Sequence, residues 1–450
     1  MEQSNSDSFC LDTGFSNFDV NAAVLYSGRC NEILGPAFLV REAYESGDLA
    51  TLWTKLYKQS LDKPAQSAAL LDMSTVLLVS GQRELGLIAQ KNALKIGKDY
   101  LKVFGAGNGL RVLAIMAPGD LMSNTPIDFL LRDSNFRLIQ HFVDENTTSL
   151  SDLPEHDIVF VAIAESGENA LILKRINNML KSIDAPIVNN APVAIAKLTR
   201  DGVASMFKNS GSIFSPDTDV VTRDNLVKIA QCQSDSAIGG FGISCPFIVR
   251  PVGTHAGFGM KKIDTLSELS EFLELIEGDQ FYVCPFVDYC NADGMFRKYR
   301  IAFIDRKPFP CHLAISKNWM IHYLNAEMDL HAERRAEEAD WFSDFEMMAE
   351  LHAETFAELC ATVNLDYFVI DCAFLENGKL LLFEVDVGMI VHDMDSIEMF
   401  PYKKPAMTTL FAAFQAMLLE KLSKSIGGDP TFLKSRTHRS TRTELELVHD

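Results

Sequence analysis

The chain has 450 residues and a formal net charge of -20, and hydrophobic and charged residues make up 47% and 23% of it. This length is too great for one ordinary core and indicates roughly three domains. The negative charge disfavours nucleic acid and anionic membranes as general partners, because both would be repelled. It is still compatible with a local basic pocket for a nucleotide.

Cysteine usage and the start of the chain bear on the cellular compartment. Nine cysteines occur without a CxxC pair, which predicts reduced thiols in a cytoplasmic protein. The first residues are acidic and polar, and they lack the basic and apolar regions of a signal peptide. No apolar run reaches the roughly 18 residues of a membrane-spanning helix. We therefore expect a cytoplasmic chain with no membrane partner.

The pattern along the chain predicts an α/β (α+β) protein in five segments. These are an irregular lead-in (1–34), a helical region (35–107), a small parallel α/β domain (108–190), a larger α/β domain (191–425) and a mobile tail (426–450).

The helical region has apolar residues at helical spacing, as at Leu49, Leu52 and Leu56. The stretch "SGQRELGLIAQKNALKIG" resembles a tetratricopeptide-like helical hairpin. A plain helical bundle stays an equal alternative, because a second clear copy of the repeat is missing.

The small domain is predicted from strand and helix signals that alternate. The apolar runs at Leu110–Pro118 and His156–Ala164 read as strands, a helical stretch follows, and "PIVNN" closes a third short strand. This alternation is typical of a parallel sheet. In the larger domain, helices are predicted at 191–208, 264–277, 343–362 and about 406–424, and strands at 246–251, 280–287, 298–305, 310–315, 366–374 and 379–386.

The most informative stretch is "LDYFVIDCAFLENGKLLLFEVDVGM". Two apolar runs flank Asn377-Gly378, a strong signal for a hairpin with a two-residue type I′ turn. Such a turn places Asp371 directly opposite Glu384, with Asp386 on the same face. Facing carboxylates are destabilising, so three acids on one face suggest a divalent cation such as Mg²⁺. A solvent-exposed polar face without a ligand is the alternative.

A candidate phosphate site follows a predicted strand in "PFIVRPVGTHAGFGM". Arg250 ends the strand, and Gly253, Gly257 and Gly259 lie in the following loop. Glycines allow backbone N–H groups to approach phosphate oxygens closely, and Arg250 adds a fixed charge. Gly-rich turns are also common without a ligand, and this loop lacks the Gly-Lys-Ser/Thr of a Walker A motif.

Two further strands carry candidate binding groups. "FYVCPFVDYCNADG" runs from an apolar strand into acidic residues, a pattern that fits an adenine-pairing edge followed by a ribose-binding acid, or any strand that enters a loop. Lys298 and Arg300 share one face of the next strand, which suggests an anion site or a solvated face.

Taken in order, these motifs over residues 108–420 resemble the ATP-grasp superfamily. The resemblance implies ATP and Mg²⁺ as cofactors. It implies Arg200 and Arg250 as phosphate-contacting cations, at positions where Lys is more frequent, and the glycine loop as a cover for the triphosphate. The candidate nucleotide-binding residues are Arg200, Arg250, Gly253, His255, Gly257, Gly259, Cys284, Phe286, Val287 and Asp288. The candidate metal ligands are Asp371, Glu384 and Asp386, and the candidate catalytic residues are Arg300, His312 and Lys317. Asp386 replaces a more usual Asn, which leaves its role open.

The resemblance also implies a carboxylate-amine ligase. It would form an acyl phosphate, release ADP and phosphate, and join the acid to an amine on a small molecule or peptide. Two alternatives stay open, a kinase-like phosphotransferase and a non-catalytic nucleotide-binding module that recruits a protein. The helical front can hold a peptide substrate or a second copy of the chain in a homodimer. Candidate substrate contacts are His312, Lys317, Trp319, His322 and Tyr323.

Overall fold

A computed structural model describes residues 31–45, 47–62, 67–231, 244–254, 257–321, 325–425 and 427. The predicted lead-in and tail lie outside the described residues, except for 31–34 and 427. None of the described helices combines the length and the apolar composition needed to cross a lipid bilayer.

The N-terminal region is helical, as predicted. Its helices are α1 (Pro36–Glu45), α2 (Leu49–Asp62), α3 (Ala68–Val79) and α4 (Arg83–Ile96). Helix α3 is apolar around nearly its whole circumference because it packs against each of the other three. Its Leu71 and Val76 are buried, and so is the carboxylate of Asp72. The helices therefore form a bundle around α3.

A six-stranded sheet follows and is mostly parallel. Its strands are β1 (Asn31–Glu32), β2 (Asp99–Val103), β3 (Arg111–Met116), β4 (Arg137–Phe142), β5 (Ile158–Val161) and β6 (Ile187–Val188), in the order β1-β2-β4-β3-β5-β6. Only the pair of β2 and β4 is antiparallel among these described strands. The sheet therefore begins before residue 108, where the sequence placed its boundary. Strands β1 and β2 are short, β1 is an edge strand, and both pair with strands far away in the sequence, so local patterns did not mark them.

Short helices cover this sheet and lead to the next unit. They are α5 (Ile127–Leu130), α6 (Ala170–Met179), α7 (Pro192–Ile195) and α8 (Arg200–Phe207), with a 3₁₀ turn at Leu180–Ser182. The helix predicted at 191–208 is thus divided in two. The division has a local cause, because the Thr199 hydroxyl accepts a hydrogen bond from Gly202 N and caps α8.

The second sheet is small and antiparallel. Strand β7 (Ile213–Phe214) precedes it in the chain and joins the third sheet. The strands of the second sheet are β8 (Asp219–Thr222), β9 (Phe247–Pro251), β10 (Lys261–Ile263) and β11 (Gln280–Pro285), in the order β10-β9-β11-β8. Helices α9 (Arg223–Ala230) and α10 (Leu266–Leu275) pack on it. Phe247, Leu269 and Phe281 form the centre of its own hydrophobic core.

The third sheet has five strands and carries most of the charged side chains discussed below. Its strands are β12 (Phe296–Ile304), β13 (Lys307–Ser316), β14 (Tyr367–Phe374) and β15 (Leu380–Asp386), together with β7, in the order β13-β12-β14-β15-β7. The accompanying helices are α11 (Ala332–Ser343), α12 (Phe345–Leu351), α13 (Ala353–Val363) and α14 (Lys403–Ser425). The strands lie close to their predicted bounds, and the helix predicted at 343–362 is divided between α12 and α13.

The turn between β14 and β15 differs from the predicted two-residue loop. Leu375 N donates to Lys379 O, and Gly378 N donates to Leu375 O. Only Gly378 has a positive φ, of 79°, so the loop has three residues and ends in a glycine bulge. A second irregularity leaves Phe383 without a partner and restores the register, so Asp371 does pair with Glu384.

Candidate functional site

A cleft of about 480 Å³ lies between the second and third sheets. Strands β9 and β11 form one wall, and β12, β14 and β15 form the other. Most of the predicted nucleotide and metal residues line it, and so does Arg300 of the predicted catalytic residues. The nucleotide and metal residues in the lining are Arg200, Arg250, Gly257, Cys284, Phe286, Val287, Asp371 and Glu384. The fold thus brings together side chains that are up to 184 positions apart, as in the contact of Arg200 with Glu384.

The floor of the cleft is a row of charged side chains across three strands, with two adjacent acids and a cation at each end. Arg300 pairs in register with Asp371, and Asp371 pairs with Glu384. The Arg300 guanidinium donates to both oxygens of Asp371, at 2.8 and 3.0 Å, and Lys298 Nζ lies 2.7 Å from the same carboxylate. At the other end of the row, Arg200 Nη2 donates to Glu384 at 2.9 Å. Each acid therefore has its own cation, which offsets the repulsion between facing carboxylates.

These cations also determine the charge state of the acids. Burial alone would raise the pKa of Asp371, but Arg300 and Lys298 outweigh it and hold that pKa well below its usual value. Burial likewise opposes ionisation of Glu384, and Arg200 is the main group that lowers its pKa. Both side chains are therefore carboxylates at neutral pH.

Arg250 is a buried cation at the second wall. It is 6% exposed, and its Nη2 donates to the carbonyl and hydroxyl oxygens of Thr254. Its Nε is buried and has no hydrogen-bond partner in the described part of the chain. Burial, and then the charge of Arg200, lower its pKa to about 10. Arg200 and Arg250 thus form a cationic end of the cleft, and a bound anion would offset the repulsion between these two charges.

The part of the cleft beside the end of β11 is apolar. Cys284, Phe286 and Val287 lie where β11 ends, and Trp319 packs edge-on against Phe286 with ring centroids 5.5 Å apart. Trp319, predicted as a substrate contact, therefore lies beside the residues predicted to bind the nucleobase. Asp288, predicted to hold a ribose, does not line the cleft, and its carboxylate accepts a hydrogen bond from Cys290 N in a local turn.

The glycine loop after β9 has the backbone that only glycine adopts easily. Gly253, Gly257 and Gly259 have φ values of 78°, 73° and 64°. Gly257 lines the cleft. His255, predicted to bind nucleotide in the same loop, lies outside the described residues.

Asp386 and Glu165 form an acidic edge beside Glu384. Asp386 is 7% exposed and accepts a hydrogen bond from Gly388 N at 2.9 Å. Burial, followed by the charge of Glu384, raises its pKa to about 7. Burial also raises the pKa of Glu165 to about 7, Arg200 lowers it, and Asp201 and Glu384 raise it further. Three acidic side chains therefore lie close together here, and two of them bind protons more readily than an exposed carboxylate does.

The three predicted metal ligands are not assembled into one site. Within the described ranges, no three His, Cys, Asp or Glu side chains converge closely enough to hold a metal ion. Asp371 instead contacts Arg300 and Lys298. The sequence shows where the acids lie on their strands. It does not show which of them will form ion pairs with cations on neighbouring strands.

Two of the predicted catalytic residues lie away from the cleft lining. His312 pairs in register with Arg300 on β13, and its removal from water and the charge of Arg300 hold its pKa well below its usual value. Lys317 is exposed after β13. His322 and Tyr323 lie outside the described residues.

Sequence reasoning missed several groups of the cleft. Tyr282, Met260 and Met320 line it, and alternation alone does not distinguish them from core residues. Glu165 had a usable signal, because it follows β5 at the carboxyl edge of a parallel sheet, where ligand-binding groups are common.

The cleft, its cationic end and its apolar part define a site for a molecule with an anionic and an aromatic part. No protein-family model matches the sequence, and no curated protein is similar to it in sequence. The chain is similar to several solved structures. The D-alanine–D-alanine ligase from Bacillus anthracis has a TM-score of 0.41 and 13% identity, over 74% of this chain and 100% of the ligase.

Two further structures show a comparable likeness. The VanG D-Ala:D-Ser ligase from Enterococcus faecalis has a TM-score of 0.43 and 12% identity, over 69% of this chain and 99% of that one. A RimK domain protein ATP-grasp from Sphaerobacter thermophilus has a TM-score of 0.38 and 13% identity, over 68% of this chain and 99% of that one. The last name carries the superfamily that the sequence motifs resemble.

Proposed function

We propose that the chain is an ATP-dependent ligase of the ATP-grasp type, which activates a carboxylate as an acyl phosphate and couples it to an amine. The observation that supports this most is the Nε of buried Arg250, which has no hydrogen-bond partner among the described residues and lies near Arg200 in a cleft that also has an apolar part. Triphosphate at the cationic end and adenine at Cys284–Val287 would satisfy both regions at once.

The acidic edge bears on Mg²⁺, which ATP-dependent phosphoryl transfer requires. Glu384 and Asp386 lie two residues apart on β15. Burial, and then the charge of Glu384, raise the pKa of Asp386, and no cation of the described residues contacts its carboxylate directly. A divalent cation would neutralise it, so these two carboxylates fit the metal, with Glu165 nearby. Asp371 fits less well, because Arg300 and Lys298 already occupy its oxygens.

The proposed reaction has two steps. An oxygen of the substrate carboxylate attacks the γ-phosphorus of ATP, and ADP leaves. The amine nitrogen then attacks the acyl carbon, phosphate leaves, and the amine loses a proton. When bound, Mg²⁺ would supply charge neutralisation on the phosphates.

The protein residues would contribute by positioning and by fixed charge. Arg200 and Arg250 would hold phosphate oxygens with guanidinium donors. The row of Arg300, Asp371 and Lys298 would keep the floor of the cleft rigid and place positive charge at the acyl phosphate. The glycine loop would cover the phosphates and exclude water, which otherwise hydrolyses the intermediate.

The experiment is to incubate the full chain with Mg-ATP and panels of amino acids and short peptides, and to separate the nucleotide products. The proposal predicts ADP and phosphate, formed only when an acid and an amine are both present. AMP and pyrophosphate would contradict the acyl-phosphate route. A stable phosphorylated product without an amine would indicate a kinase-like transfer instead, and ATP binding without turnover across the panels would favour a nucleotide-binding module.

A further inference from the structure

A second cavity, of about 60 Å³, lies between the helical region and the carboxyl ends of the strands in the six-stranded sheet. Helices α1, α3 and α4 form one side, and the segment Gly119–Phe129 with the end of β4 forms the other. The carboxyl edge of such a sheet is where ligands bind in open α/β folds. None of the cleft functions described above uses this cavity.

Two buried carboxylates meet in this cavity, at the start of α1. Asp72 is 4% exposed and accepts hydrogen bonds from Leu34 N at 2.8 Å and Gly35 N at 3.1 Å. Asp128 is 3% exposed and accepts hydrogen bonds from Ala37 N, from its own N–H and from Phe129 N. These bonds use only part of the acceptor capacity of four carboxylate oxygens. The remaining lone pairs are available to a donor in the cavity.

The cavity holds no cation to balance these acids. No lysine or arginine lines it within the part of the chain that the structure describes. Lys102 acts on both acids through its charge, without a direct ion pair to either among the described contacts. Burial still raises the pKa of Asp72 to about 7 and that of Asp128 to about 6. Two buried acids in this state favour a positively charged guest.

Thr125 supplies a separate indication of a ligand. It lines the cavity, is 0% exposed, and its Oγ1 has no hydrogen-bond partner among the described residues. A buried hydroxyl without a partner is unfavourable by about 1–3 kcal/mol. A bound donor would remove this penalty.

We propose that this cavity binds the ammonium group of an amine-bearing substrate, with Asp72, Asp128 and Thr125 as the three acceptors. A primary ammonium has three N–H donors, and the small volume suits this group with a few attached atoms. Ile390 lines both this cavity and the cleft, and its carbonyl accepts a hydrogen bond from Arg300 at 3.4 Å. A molecule held here by its amino group would therefore lie against the wall of the reactive cleft.

This inference rests on the proposed ligase function for its role, but its test does not need catalysis. The probe is n-butylamine, which is protonated at pH 7.5, and its neutral comparison is 1-butanol, which has the same number of heavy atoms and a similar shape. Binding of each to the full chain is measured by ligand-observed NMR without nucleotide. The amine should bind at least tenfold more tightly than the alcohol.

The variants locate the site. D72N and D128N should each weaken butylammonium binding at least tenfold, and T125V should weaken it severalfold. The control D144N changes an acid that pairs with Lys98 away from the cavity and should bind as the wild type does. T125V removes a buried hydroxyl without loss of charge, so it carries the test if an Asn variant fails to fold.

The outcomes separate this inference from the proposed function. Equal binding of amine and alcohol, or unchanged binding in the Asp72, Asp128 and Thr125 variants, would overturn the inference. Mg-ATP binding, titrated in parallel, reports on the cleft alone. Nucleotide binding without amine binding would reject the cavity, and amine binding without nucleotide binding would reject the ligase and leave the cavity as an amine site.

Discussion

Arg250 is the residue on which the nucleotide assignment depends most. Its guanidinium is buried, leaves Nε without a partner among the described residues, and has a pKa lowered to about 10 by burial and by Arg200. It stays charged at neutral pH, and none of the described carboxylates forms a direct ion pair with it. This arrangement is favourable only when an anion binds there.

We predict that Arg250→Ala weakens ATP binding by about tenfold or more, because a charged hydrogen bond contributes roughly 1.5–3 kcal/mol. The measurement is an equilibrium titration with a fluorescent ATP analogue. Arg306→Ala removes an exposed arginine outside the cleft and should leave the affinity unchanged. Equal affinity of both variants would remove the basis for the phosphate site.

Asp72 gives a prediction about pH. Burial raises its folded-state pKa from 3.8 to about 7, Asp128 raises it further, and the N–H groups of Leu34 and Gly35 and the charge of Lys102 oppose this. The folded protein therefore holds this proton where the unfolded chain has lost it. The contribution of Asp72 to the free energy of unfolding therefore falls as pH rises from about 4 to 7, by up to roughly 4 kcal/mol, and does not change above that pH.

Asp72→Asn should therefore reduce the loss of thermal stability between pH 5 and pH 8, since an amide does not ionise. Thermal denaturation of both proteins across this range is the measurement. The variant keeps part of the pH dependence, because Asp128, Glu165 and Asp386 also have raised pKa values. Identical pH profiles would show that Asp72 is not held in a proton-binding state.

In the hairpin of β14 and β15 the predicted pairing forms, although the loop is longer than predicted and one strand has a bulge. The apolar runs and Asn377-Gly378 predict the two strands and the pairing of Asp371 with Glu384, and the structure confirms that pairing. The loop itself has three residues, and the bulge at Phe383 compensates for the added residue. Such a bulge depends on packing across the sheet, which the sequence of the hairpin does not display.

Gly378 tests this loop. With φ at 79°, an alanine there should lower the free energy of unfolding by about 1–2 kcal/mol, because an L-residue is strained in this region. Urea denaturation is the measurement. Glu376→Ala, in the same loop at an exposed position without a positive φ, should change stability by less than about 0.5 kcal/mol. Equal effects of the two variants would contradict the glycine bulge.

The strands of the third sheet were predictable because their apolar runs are long and bounded by turn residues. Strands β1, β2, β4, β7, β8 and β10 were not predicted, since each is short and all but β10 depend on partners far away in the sequence. The same holds for the site. Arg200, Arg250, Arg300 and the acids were visible as motifs, but the ion pairs that engage Asp371 appear only once β12 and β14 are adjacent.

At the scale of the whole molecule, the helical region is tied to the segment that follows the acidic hairpin. Asp393 accepts hydrogen bonds from Arg41 of α1, at 2.6 Å, and from Arg132, which precedes β4 of the six-stranded sheet. The Asp393 side chain is 7% exposed. One carboxylate thus links three parts of the chain beside Ile390, which borders both cavities.

We predict that Asp393→Asn lowers the free energy of unfolding by about 1–3 kcal/mol, because two partly buried arginines lose their shared carboxylate. Chemical denaturation is again the measurement. Glu420→Gln, which removes an exposed ion pair with Lys424 on α14, should have an effect below about 1 kcal/mol. An Asp393 variant as stable as the Glu420 variant would show that the link does not hold the helical region in place.

The most direct test of the central claim is a crystal structure of the full chain with a non-hydrolysable ATP analogue and Mg²⁺. The account predicts the adenine at Cys284–Val287, the phosphates in contact with Arg200 and Arg250, and the metal on Glu384 and Asp386. A nucleotide bound elsewhere, or one whose phosphates lie in the apolar part against Trp319, would contradict it.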